Sequence, residues 1–181
     1  LALLDLSRLD GTTQEFSEHR TLSGLRIREC LGSELLRSLR DQYRMEPTEN
    51  IRVDFSVIGR FETVNLLIDW IHTARTVLLL AGSLTDSMTS GCVRIELKEV
   101  RGGVAIKLSV EEAESIETHR EALLSSWRGL VEGEAKERDL QATTLPTRLV
   151  EAVVALQGGR IDVEFGEKWP ELTLTCPATT T

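Results

Sequence analysis

Cysteine is scarce in this chain of 181 residues, with only Cys30, Cys92 and Cys176 present. They are odd in number, far apart and not spaced as metal ligands are. That excludes a disulfide framework and a zinc site, and it suits reduced thiols in a cytoplasmic protein. Long apolar runs are missing as well. The longest, Val77 to Gly82, falls far short of the roughly 20 residues that cross a bilayer, so no direct membrane contact is expected. Lys and Arg number 21 against 29 Asp and Glu, for a net charge of -8. A nucleic-acid binder would need clustered cations to displace counterions, so nucleic acid is excluded as a general partner. No basic stretch leads into an apolar core near Leu1, and the chain does not open on Met, so it reads as a piece of a longer protein without a secretory signal. Aromatics make up 4%, and only two asparagines occur, Asn50 and Asn65. There is no internal repeat, and the short polar stretch Ala178 to Thr181 is expected to fray, with 179–181 as the tail.

What is present suits one soluble α/β domain, with 41% hydrophobic and 28% charged residues. Leu1, Leu4, Leu6 and Leu9 fall near helical spacing and Gly11 ends the run, which predicts the last turns of a helix. Leu25, Leu31, Leu35, Leu36 and Leu39 predict an amphipathic helix from Leu22 to Tyr43, stopped by Pro47. Ile51 to Val57 alternates as a half-buried strand does, and Thr63 to Ile68 is a shorter strand. Asp69 is placed to cap a leucine-rich helix reaching about Ser87. Its leucines are read as core, so Leu78→Asp is expected to unfold the domain. Cys92–Glu99 and Val104–Val110 form a hairpin across Gly102-Gly103. A helix over Ser115–Leu130, a charged loop to Thr144, a helix over Thr147–Gln157 and a hairpin of Arg160–Phe165 with Leu172–Cys176 complete the order. The expectation is α+β: a two-layer sandwich of helices on a mixed β-sheet.

Three segments carry a resemblance. LALLDLSRLDG (1–11) resembles the end of the second dimerisation helix of sensor histidine kinases. CVRIELKEVRGGVAIKLSVEE (92–112) resembles the two strands after the first ATP-site helix of that family, and LVEAVVALQGGRIDVEFGEKWPELTLTCP (149–177) its closing helix, Gly-Gly turn and hairpin. The chain is thus similar to the catalytic, ATPase-like (GHKL-type) domain of histidine kinases. The resemblance implies a dimerisation-helix end over 1–11 and an ATPase-like domain over 12–178.

The positions that do the family's chemistry differ. The family holds Mg²⁺ with an asparagine on the helix before the first hairpin; WIHTARTVLLLAGSLTDSM (70–88) has none, and only Thr85 and Asp86 lie near that place. In place of the adenine-site Asp-x-Gly-x-Gly stands Val110-Glu111-Glu112-Ala113-Glu114-Ser115. Side chains replace bare backbone there, and carboxylates would repel a polyphosphate. The phosphate-cradling Gly-rich motif is replaced by Ala142 to Thr147, without glycine. Asp86, Glu111 and Glu112 are therefore degenerate positions, read as a helix end and a solvated strand end. The three histidines are His19, His72 and His119, and none shows a phosphoacceptor pattern. Trp127 is a candidate partner contact, with packing inside the domain as the alternative.

The resemblance implies a two-component signalling protein that has lost ATP binding, has no catalytic activity of its own, and acts in regulation or in docking a response regulator or kinase partner. An upstream helix would make the full-length protein a homodimer. Stretches such as TVLLLAGSLTDSMTSGCVRIEL (76–97) are also similar to ChpT-like histidine phosphotransferases, which serve a phosphorelay. One alternative is a divergent histidine kinase that still binds ATP and Mg²⁺ through Asp86, Glu111 or Glu112. Another is an adaptor or anti-sigma-like interaction module. No cofactor is expected under the leading reading.

Overall fold

The computed structural model describes residues 25–43, 50–115, 117–132 and 147–179. The elements run β1 (Arg28–Leu31), α1 (Gly32–Gln42), β2 (Ile51–Ile58), β3 (Asn65–Ile68), α2 (Trp70–Thr85), β4 (Met88–Val100), β5 (Gly103–Ser115), α3 (Glu117–Glu132), α4 (Thr147–Leu156), β6 (Arg160–Phe165) and β7 (Pro170–Pro177). The main sheet has five strands in the order β2-β4-β5-β7-β6. Its β2–β4 pair is parallel and the remaining pairs are antiparallel. β1 and β3 form a separate antiparallel pair.

Alternation decides which face of the main sheet is buried. Ile95 lies opposite Leu108 and Leu97 opposite Ile106, and Ile106 and Leu108 in turn face Leu174 and Leu172. All six are fully buried, so three adjacent strands present one apolar face. The outer face carries their polar neighbours, among them Lys107 and Glu171, which pair at 2.6 Å. Against the inner face lies α2, whose Ala74, Val77, Leu80, Ala81 and Leu84 recur at helical spacing and are all buried. Each of the larger ones removes enough apolar surface from water to contribute about 2 kcal/mol. Leu35, Leu36 and Leu39 of α1 extend this core. Leu78 lies at its margin, half-buried, so a charge at Leu80 would test the core more severely than one at Leu78. The expected two-layer α+β sandwich on a mixed sheet is what the chain forms.

Three local expectations are corrected. The helix expected from Leu22 begins only at Gly32, because Arg28–Leu31 is a strand that pairs Cys30 with Leu66 and buries both. The β4–β5 hairpin runs well beyond the alternating residues, to Met88 opposite Ser115. Thr179 is not frayed: its N–H donates to the Asn65 carbonyl at 2.9 Å, and Ala178 bridges Leu66. The expected helix end over 1–11, His19, Pro47, the loop to Thr144 and Thr180–Thr181 lie outside the described residues.

One glycine shows why the hairpin closes as it does. Gly91 has φ +137, and a Cβ there would stand 2.7 Å from the Ala113 Cα, so the two strands touch where the register shifts.

Candidate functional site

The region to which the sequence points lies where α2 ends, β5 runs out and α3 begins. Hydroxyls at the end of α2 turn back on the helix. Ser83 Oγ donates to the Leu80 carbonyl at 2.7 Å, Thr85 Oγ1 to Gly82 at 2.8 Å, and Ser87 Oγ to Ser83 at 2.9 Å. Such side-chain bonds to carbonyls three or four residues back keep these hydroxyls satisfied at the helix end. Asp86 is the exposed C-cap of this helix, where a carboxylate opposes the helix dipole. Thr85 is buried.

Residues 110–115 are strand. Cys92 lies opposite Glu111, Ser90 opposite Glu114 and Met88 opposite Ser115. Glu111 forms a 2.8 Å ion pair with Arg94, both groups nearly half exposed. Glu112 is exposed with φ +47, the single non-glycine residue with positive φ among those described. It borders an open hollow of about 290 Å³ with Ala113, Lys168 and Trp169. The structure does not gather Asp86, Glu111 and Glu112 into one site: among the described residues no three His, Cys, Asp or Glu side chains could hold a metal ion.

Trp127 requires a correction. It is fully buried, with Leu123 one turn before it at 5% exposure, so it packs in the core and cannot meet a partner at the surface. The i, i+4 spacing of Leu123 and Trp127 is the signal that points inward. α3 lies against α4 and β6, and its outer side carries Arg120, which donates to the Lys168 carbonyl at 3.2 Å, and Arg128, stacked 5.4 Å from the Phe165 ring centroid. The Trp127 indole N–H has no hydrogen-bond partner. His119 is exposed, and its carbonyl lies 3.5 Å from Ser87 Oγ, joining α3 to the end of α2.

The other end of α2 holds a network that sequence reasoning saw only as a cap. The Asp69 carboxylate accepts from the Arg26 N–H at 2.7 Å and the His72 N–H at 3.0 Å, and its Oδ2 lies 2.8 Å from the His72 Nδ1. Burial raises the pKa of this carboxyl; the hydrogen bonds from His72 and from the Arg26 and His72 backbone, with the His72 charge, outweigh burial and bring it to about 2. Gln157 completes the network. Its Oε1 accepts from the Asp69 N–H at 2.6 Å and Thr73 Oγ1 at 3.2 Å, while its Nε2 donates to the Val153 carbonyl at 2.6 Å. The local signal for it is Asp-x-x-His at a helix start; Gln157, 88 positions away, carries none.

No family model matches the chain, and among curated proteins no significant relative is found. Solved structures do resemble it. The nucleotide-free catalytic domain of histidine kinase ThkA superposes with a TM-score of 0.60 at 15% identity, covering 84% of this chain and 95% of that one. The histidine kinase AdeS of Acinetobacter baumannii gives 0.56 at 14%, covering 98% and 77%. ThkA in complex with the response regulator protein TrrA gives 0.54 at 18%, covering 98% and 49%. At these identities the likeness concerns the fold, and the chain has the fold of histidine-kinase catalytic domains.

Proposed function

We propose that this chain is a histidine-kinase-type domain of two-component signalling that does not take ATP by the family's route and instead serves in regulation and in docking a response regulator or kinase partner. The observation that carries the reading is the course of residues 110–115. A nucleotide site needs a loop there, with backbone N–H groups open to the base and phosphates. Here the segment pairs with β4 at Glu111, Glu114 and Ser115 around an irregularity at Glu112 and Ala113, Ala113 closes on Gly91, and α3 begins at Glu117 with Leu123 and Trp127 in the core. Glu111, Glu112 and Glu114 add negative charge where a polyphosphate would have to sit. The residues do not fit Mg-ATP.

The partner class is supported by the likeness in fold to ThkA, which has been crystallised with a response regulator. Dimerisation through a helix ending near Gly11 belongs to the same proposal. Calorimetric titration of the full chain with ATP, and with a non-hydrolysable analogue, in the presence of Mg²⁺ tests it. No saturable heat is expected. Saturable Mg²⁺-dependent binding would refute the proposal and make the chain a divergent kinase.

A further inference from the structure

A second hollow, of about 240 Å³, opens beside the first turn of α2 and is walled by Arg26, Arg28, Trp70, Ile71, His72 and Arg75, with Asp69 beneath. In a chain of net charge -8 this is a local concentration of positive charge. The ionised Asp69 offsets one of these charges, but its oxygens are taken by the Arg26 and His72 backbone N–H groups and the imidazole, so it forms no ion pair with the Arg26 or Arg28 guanidinium. Among the described residues no carboxylate pairs with Arg26 or Arg28, while Arg75 has a partner of its own. The Arg28 guanidinium lies 3.7 Å from the centroid of the Trp70 ring. Stacked in this way it stays oriented and keeps its N–H edge for a planar, two-oxygen acceptor.

The wall is also apolar. Trp70 is half-buried and Ile71 is 41% exposed, and Ile27, between the two arginines in sequence, is likewise 41% exposed. A free inorganic anion would gain nothing from that apolar surface. A polypeptide presenting a carboxylate beside an apolar side chain would use both parts of the wall, and arginine and tryptophan together are typical centres of protein interfaces. We infer that this hollow is a docking site for an acidic protein segment whose carboxylate meets Arg26 and Arg28 while a neighbouring apolar side chain lies on Trp70 and Ile71. This stands whether or not the chain takes ATP.

The test uses the full chain and a fluorescein-labelled peptide of alternating aspartate and leucine, with an asparagine and serine peptide as control. Anisotropy is expected to show saturable binding of the acidic peptide alone. Arg26→Ala and Arg28→Ala should each weaken it about tenfold, as the loss of a charge-assisted hydrogen bond does, while the exposed Arg101→Ala leaves it unchanged. Arg28→Lys, which keeps the charge and loses the fork, should also bind more weakly than the parent. Unchanged far-UV circular dichroism and melting show that the variants are folded. Equal binding by the arginine variants, or by the control peptide, overturns the inference. Displacement of the peptide by inorganic phosphate at matched anion concentration also overturns it, since the hollow would then be a small-oxyanion site.

Discussion

Asp69→Asn isolates a charge at the centre of the polar network at the start of α2. The substitution keeps an oxygen able to cap α2, because asparagine is as good an N-cap as aspartate. It removes the negative charge that three N–H groups converge on. The carboxyl, with an ordinary value of 3.8, is held at about 2 in the folded chain. Each tenfold preference for one protonation state is worth about 1.4 kcal/mol, so the ionised group stabilises the fold by about 2 kcal/mol at neutral pH. The sign is set by which state holds the proton. Between about pH 4 and pH 2 the unfolded chain takes up a proton that the folded chain refuses, so the contribution is complete above that window and lost as pH falls through it. Urea unfolding followed by tryptophan fluorescence, for parent and variant in parallel at pH 7, 5, 4 and 3, gives the difference directly, with the other carboxylates cancelling. The difference should be about 2 kcal/mol at pH 7 and shrink steadily below pH 4. A difference that stayed constant with pH, or none at all, would refute the electrostatic account of this network.

Trp127→Ala should cost about 3–5 kcal/mol in the same assay, and Trp127→Phe much less, since the indole N–H has no partner to lose. An alanine variant as stable as the parent would mean that Trp127 is not in the core. Gly91→Ala should destabilise by more than about 1 kcal/mol, because the new Cβ meets Ala113 and the backbone is left-handed there; an unchanged melting temperature would contradict the close approach of β4 and β5. Burial, foremost, pushes the Cys30 and Cys92 thiols to about 11 and Cys176 to about 12. At pH 8 no more than roughly one in a thousand is thiolate, so a chromogenic disulfide reagent should react only after urea is added, and rapid reaction of native protein would go against this.

Elements whose stability is written locally could be read from the sequence. β4, β5 and β7 alternate apolar and polar residues, and α2 repeats leucine and alanine at helical spacing behind a capping aspartate. β1 could not be read in this way. Its four residues, Arg-Glu-Cys-Leu, have no strand signal of their own, and they are extended because β3, more than thirty positions later, supplies the hydrogen bonds. The far end of β5 is similar: Glu111, Glu112 and Glu114 look like a loop by composition, yet Glu111 and Glu114 pair with Cys92 and Ser90 on the opposing strand. For Trp127 the one local signal is its i, i+4 spacing from Leu123, and the packing that buries it comes from α4 and β6, which lie against α3. The basic hollow is assembled from β1 and α2, two segments some forty positions apart, which no local window spans.

The β1–β3 pair has a mechanical consequence. It joins through only four residues on each strand, while Ala178 and Thr179 fasten the far side of β3 to the end of the long hairpin. A pull on the chain ahead of Arg26 would meet first the Arg26–Asp69 bond and then the Arg28–Ile68 rung, so the rungs would part singly, from one end, as a zipper opens. The five-stranded sheet would remain intact behind it. Parting β1 from β3 in this way would uncover the first turn of α2, whose Asp69 is held by the Arg26 N–H, without breaking a rung of the main sheet.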